Sequence, residues 1–186
     1  MQEFTGPNPV DVDPTSTVPD LLWQAEAQYG ANAVLAHRQG DQFVDISLDE
    51  MAHMVRRIAA GFMALGIEKG SRIALFSPSR WEFTVFDYAI WVAGAATVTI
   101  YETSSADQVD WIMKDSGSIA LVAADKSLVG VYEEQAAAHG VCEHVFSIDD
   151  GAIDHLMELG KDISDEEVRA RADSVEAGDL ATLVYT

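Results

Sequence analysis

Residues 71–100, SRIALFSPSRWEFTVFDYAIWVAGAATVTI, carry two alternating patterns. Arg72, Ile73, Ala74, Leu75 and Phe76 form a short, mostly apolar run between serines, which reads as a strand. Ser79-Arg80-Trp81-Glu82 has the serine-to-glutamate spacing of a capping box. The helix it opens is apolar on nearly every side (Trp81, Phe83, Val85, Phe86, Ala89, Ile90, Val92), so it is expected to be buried. Gly94 ends it, and residues 96–100 are a β-branched strand. Strand, helix and strand at this spacing imply a right-handed βαβ unit in a parallel sheet covered on both faces.

Toward the C-terminus the alternation continues. Ser105 and Gln108 make another capping box, opening a helix with Val109, Ile112 and Met113 that stops at Gly117. Strands are expected at 119–123 and 145–148, with a helix over 125–139 ended by Gly140. Two acidic helices follow, the second opened by Ser164 and Glu167, and residues 181–186 read as a last buried strand. In open parallel sheets ligands bind just beyond the carboxyl ends of the strands. A chain that stops on such a strand is expected to be a piece of an enzyme lacking its chemical machinery.

Toward the N-terminus, residues 1–19 hold four of the 5 prolines and are expected to be an extended lead-in. Asp20 caps a short expected helix over 21–29. Residues 33–36 and 42–46 flank Gln39-Gly40-Asp41, a hairpin pattern. Ser47 and Glu50 form a capping box, and Met51, Val55, Ile58, Phe62 and Leu65 recur as the stripe of an amphipathic helix. His53, Arg56 and Arg57 are expected on its solvent side. The reading is an α/β fold: a parallel sheet flanked by helices over 20–186.

Eleven basic against 31 acidic residues give a net charge of −20, which argues against nucleic-acid binding and against attraction to anionic membranes. The acidic stretch 149–179 reads as a solvated face. Cys142 is alone, so no internal disulfide framework exists, as in a reducing compartment. With residues 141–146 as a strand, Cys142 and His144 would share one face, but a structural thiol is the commoner case. His37, His53, His139, His144 and His155 are scattered without metal-type spacing. No secretory signal is expected, and the longest apolar stretch, 88–100, is too short to span a membrane.

The loops after the strands hold the candidate chemistry. Arg80, at a helix start, could meet an anion or merely be solvated. Tyr101-Glu102-Thr103-Ser104-Ser105 suits a nucleotide-like ligand or plain turn chemistry. Asp125-Lys126-Ser127 carries a lone lysine. Neither a dinucleotide fingerprint nor a complete phosphate loop is present.

Several segments in order resemble the N-terminal part of AMP-forming acyl-CoA synthetases of the adenylate-forming superfamily, the long-chain fatty-acid CoA ligase branch most. Leu65-Gly66 through Ala74 resembles "LG-x-x-x-GDRVA", and residues 77–83 resemble "S-x-N-R-P-E-W" with Trp81 for proline and Phe83 for tryptophan. Ala93-Gly94-Ala95 and Ile100-Tyr101-Glu102-Thr103-Ser104-Ser105 resemble "AGA" and "IYPTSS", with Glu102 at the proline. Asp115-Ser116-Gly117 matches "DSG", and residues 179–186 resemble the strand feeding "YTSGTTG-x-PKG".

The resemblance implies a two-step ligase using fatty acid, ATP with Mg²⁺, and CoA. Tyr185 and Thr186 match the start of its ATP phosphate loop, and Tyr101, Glu102 and Thr103 align with a segment that contributes to a CoA pocket. It implies no catalytic residue within this chain, no tightly bound cofactor and an isolated chain without activity. It implies a cytoplasmic parent, at most peripheral to the inner membrane face, and is compatible with a homodimer. Two other readings stay open. One is a self-contained flavodoxin-like binding or interaction module. The other is an adenylate-forming relative with a different product, an acyl-AMP ligase or a peptide-synthetase adenylation domain.

Overall fold

The computed structural model describes residues 13–136 and 142–185. Helix α1 (Val18–Tyr29) leads into the hairpin β1 (Ala33–Gln39) and β2 (Gln42–Ser47), then helix α2 (Leu48–Ala64). The alternating part follows: β3 (Arg72–Phe76), α3 (Trp81–Val92), β4 (Ala96–Ile100), α4 (Ala106–Ser116), β5 (Ala120–Ala123), α5 (Lys126–Ala136) and β6 (His144–Ser147). Two further helices, α6 (Ala152–Leu159) and α7 (Asp165–Asp173), precede β7 (Thr182–Val184).

β3 to β7 form one sheet in the order β6-β5-β3-β4-β7, with every neighbouring pair parallel. Alternate residues of β3 serve opposite faces. Ile73 and Leu75 pack with α2, α3, α6 and α7 through Val55, Ile58, Phe62, Phe86, Leu156 and Val168. Ala74 and Phe76 pack with α4 and α5 through Val109, Met113 and Tyr132. Two-sided burial is why the strands read as continuous apolar runs. In a flavodoxin-like sheet of order 2-1-3-4-5 the fifth strand lies beside the fourth. Here the first four parallel strands keep that order, but β7 lies beside the second, β4, at the opposite edge.

Most helix starts follow the local chemistry. Ser47 with Glu50, Ser105 with Gln108 and Ser164 with Glu167 all close reciprocal capping boxes. Two expectations are corrected. Thr17, not Asp20, caps α1; Asp20 is its third residue and closes the box on Thr17. Val18 and Pro19 are therefore helical rather than lead-in, because the first turn needs no N–H from proline. Of the expected extended segment, residues 1–12 lie outside the described residues. At α3 the cap is Arg80 and not Ser79, without a side-chain cap bond, because Glu82 is held by the Arg80 guanidinium. The expected end of the fifth helix, at His139 and Gly140, also lies outside the described residues.

The arginines of α2 are not solvated. Arg56 pairs with Glu26 of α1 at 2.7 Å. Arg57 donates to the carbonyls of Ile163, at 3.0 Å, and Gly160, satisfying the end of α6. α2 and α6 approach so closely that a Cβ at Gly61 would collide with the Leu156 carbonyl.

Candidate functional site at the carboxyl rim of the sheet

The carboxyl ends of the five parallel strands form a rim, and its two halves differ. Over β6, β5 and β3 the side chains are engaged with one another. Arg80, after β3, holds Glu82 through two bonds of 2.7 Å and reaches Asp149, after β6, at 2.9 Å. Because β5 lies between β3 and β6, this ion pair spans its end. Hydrogen bonding to Glu82 is the main cause that raises the Arg80 pKa, so the guanidinium stays charged. Lys126 pairs with Asp150, and Ser147 donates to Asp150 at 2.6 Å. Those contacts, led by the Lys126 bond, lower the Asp150 pKa. Asp125 caps α5 by accepting from the Leu128 amide at 3.0 Å. Each of the two cations singled out in the sequence already carries a carboxylate, Arg80 partly buried and Lys126 largely exposed.

The β4–β7 half is open. Tyr101, Glu102 and Thr103 all stand exposed after β4, Tyr101 at 63%. The Tyr101 carbonyl accepts from the Ser104 amide at 2.9 Å, forming the turn into α4. On β7, Leu183 packs toward α4 and α5, whereas Val184 is 56% exposed. The following Tyr185 lays its ring edge-on against Trp111 at 5.3 Å and donates its hydroxyl to Asp115 Oδ2 at 2.9 Å. Burial, then the Asp115 bond, raises the phenol pKa. Thr186 lies outside the described residues. The structure thus brings the Tyr101 segment and Tyr185 to the same half of the rim, on neighbouring strands.

The model of one family, described as AMP-binding enzyme, matches residues 21–186. The chain belongs to the AMP-binding enzyme family. Along its whole length it is 32% identical to the long-chain-fatty-acid–CoA ligase FadD15 of Mycobacterium bovis, of which it covers 32%. It is 25% identical, over 93% of its length, to the long-chain-fatty-acid–CoA ligase ACSBG2 of Xenopus laevis, covering 25% of that protein. The chain thus spans a third or less of the length of these relatives. Solved structures share its fold at lower identity. One is the long-chain-fatty-acid–CoA ligase FadD1 of Archaeoglobus fulgidus (TM-score 0.69, 19% identity, 90% of this chain and 34% of that one). Another is VinN (TM-score 0.77, 18% identity, 95% and 43%).

Within this segment of an AMP-binding enzyme the other candidates are structural. Cys142 precedes β6 rather than lying on it; its amide donates to Tyr132 Oη at 2.8 Å and its thiol to the His144 carbonyl at 3.5 Å. Burial raises the thiol pKa, the reverse of what a nucleophile needs. Burial likewise pushes the Tyr132 phenol up to about 12. His37 packs on Trp81 and His155 on Phe146, while His139 lies outside the described residues. Among the described residues no cluster is arranged to hold a metal ion, and no helix is long and apolar enough to cross a membrane. The contacts of Trp111 and Asp115 with Tyr185 escaped the sequence reading. Their spacing of four places them on one helix face, but a partner 70 residues away leaves no local signal.

Proposed function

We propose that this chain is the N-terminal part of an AMP-forming long-chain fatty-acid CoA ligase. The observation that carries the proposal is the 32% identity, over the whole chain, to a relative of that name. In the reaction a fatty carboxylate oxygen attacks the α-phosphorus of ATP and pyrophosphate leaves. The thiolate of CoA then attacks the acyl carbonyl carbon and AMP leaves.

The open half of the rim sits where such ligands bind in a parallel sheet. It does not fit a triphosphate by itself. The side chains exposed after β4 are two neutral groups and the Glu102 carboxylate, which repels phosphate. Lysine and backbone donors for the departing phosphates must come from the remaining two thirds of the ligase. Magnesium accompanies ATP in this reading, but its ligands have no candidate among the described residues. Tyr101, Glu102 and Thr103 are the residues proposed to line the CoA side, and Tyr185 and Thr186 to begin the phosphate loop. The proposed parent is cytoplasmic.

Pyrophosphate release from ATP and a long-chain fatty acid tests the proposal. The full-length enzyme should turn over and the isolated 186-residue chain should not. Turnover by the isolated chain, or none by the full-length enzyme, would sink it.

A further inference from the structure

β7 is three residues long and, among the described residues, pairs with β4. A strand so short holds its place weakly through backbone bonds alone. It is tied instead by side chains at both ends. Before it, the Trp91 indole donates to the Ala181 carbonyl at 2.8 Å, and Lys69 pairs with Asp179 at 2.8 Å. After it, Tyr185 is fastened to α4 through Trp111 and Asp115.

α4 is a firm platform for that second tie. Val109, Ile112 and Met113 are buried beneath it. Ser105 and Gln108 close its start. Arg72 donates to the Ser116 carbonyl at its end, at 2.6 Å. Trp111 and Asp115 stand one turn apart on its side toward β7. The carboxylate receives the phenol hydroxyl, and the indole fixes the plane of the ring.

We propose that Asp115 and Trp111 are positioning residues for adenylate formation: by clasping Tyr185 they fix where the backbone leaves β7 and so where the phosphate-holding loop begins. The inference rests on the ligase reading above. The Tyr185 side chain is thereby occupied in holding the chain and does not itself touch the nucleotide.

Two measurements test it. In the 186-residue chain the Tyr185 phenol, isolated by ultraviolet difference against Tyr185→Phe, should titrate lower in Asp115→Asn than in the unaltered chain. The reason is that a neutral acceptor no longer favours the protonated phenol. No downward shift in a folded variant overturns the clasp. In the full-length ligase, Asp115→Ala should raise the KM for ATP by about tenfold. The fatty-acid KM should stay within about twofold, since the strand exit bears on the nucleotide alone. Asp115→Asn, which keeps an acceptor, should recover most of the loss. Tyr185→Phe should match Asp115→Ala, and the double variant should add little to either. An active enzyme whose ATP KM does not respond to Asp115→Ala overturns the inference alone. A full-length protein that makes no acyl-adenylate overturns the ligase reading and the inference with it.

Discussion

The two halves of the rim have the same architecture, strand ends leading into helix starts, and opposite chemistry. Over β6, β5 and β3 the charged side chains at the rim face partners: Arg80 with Glu82 and Asp149, Lys126 with Asp150. Over β4 and β7 the loop side chains are exposed, and Tyr185 is held from below. The ion pairs tie one half together as scaffold, with each of its cations already on a carboxylate. The open half presents exposed loop side chains at the strand ends, which is where binding groups are expected.

This contrast can be broken experimentally. The largest effect on the scaffold should come from Arg80→Ala. Glu82 is only 8% exposed, so losing the guanidinium leaves its carboxylate nearly buried without a cation. A loss of about 2 kcal/mol in urea unfolding is expected, less than for a fully buried pair because Arg80 is partly solvated. Adding Glu82→Gln should recover part of it. A loss below about 0.5 kcal/mol, the level of an ordinary surface change, would mean that this half is not held by its ion pairs.

A smaller, pH-dependent effect is expected at Asp87, on α3 beneath β4. Its carboxylate accepts from Thr97 Oγ1 at 2.6 Å, and burial raises its pKa above the ordinary 3.8. The folded state therefore binds this proton more tightly than the unfolded chain does. Its contribution to stability is full below pH 3.8 and is lost as pH rises through the raised value. Urea midpoints of the unaltered chain minus those of Asp87→Asn should fall over that rise and then level off. A difference independent of pH would remove Asp87 from the account.

The smallest effects should come from largely exposed side chains. Lys126→Ala breaks an exposed pair and Tyr101→Ala trims an exposed ring. Each should change stability by less than about 0.5 kcal/mol. In the full-length ligase only Tyr101→Ala should alter the KM for CoA. If Lys126→Ala alters it equally, the rim is not divided as described.

Much of the fold was legible because its causes are local. Three serine-led capping boxes close as their spacing requires, since donor and acceptor lie three residues apart. The run Ile73-Ala74-Leu75-Phe76 reads as a doubly buried strand because every position is apolar. The same rule failed at Ser79, where a bidentate charge-assisted pair between Arg80 and Glu82 outweighs a neutral serine cap. It failed again at Arg56 and Arg57, whose partners Glu26, Gly160 and Ile163 belong to other helices.

Of the site, the Tyr101 segment was visible by its position after a strand. The division of the rim was not, because Asp149 lies 69 residues from Arg80 in the chain and Asp115 lies 70 from Tyr185. By itself the sequence determined the kinds of element, their order and the families they resemble, since periodicity, caps and turn residues act within a few positions. Only the tertiary structure decided that β7 joins the sheet beside β4, that one half of the rim is sealed by ion pairs, and that the last described tyrosine is fastened to α4. Those outcomes depend on which distant surfaces pack together, and packing between segments far apart in the chain leaves no periodic trace in either.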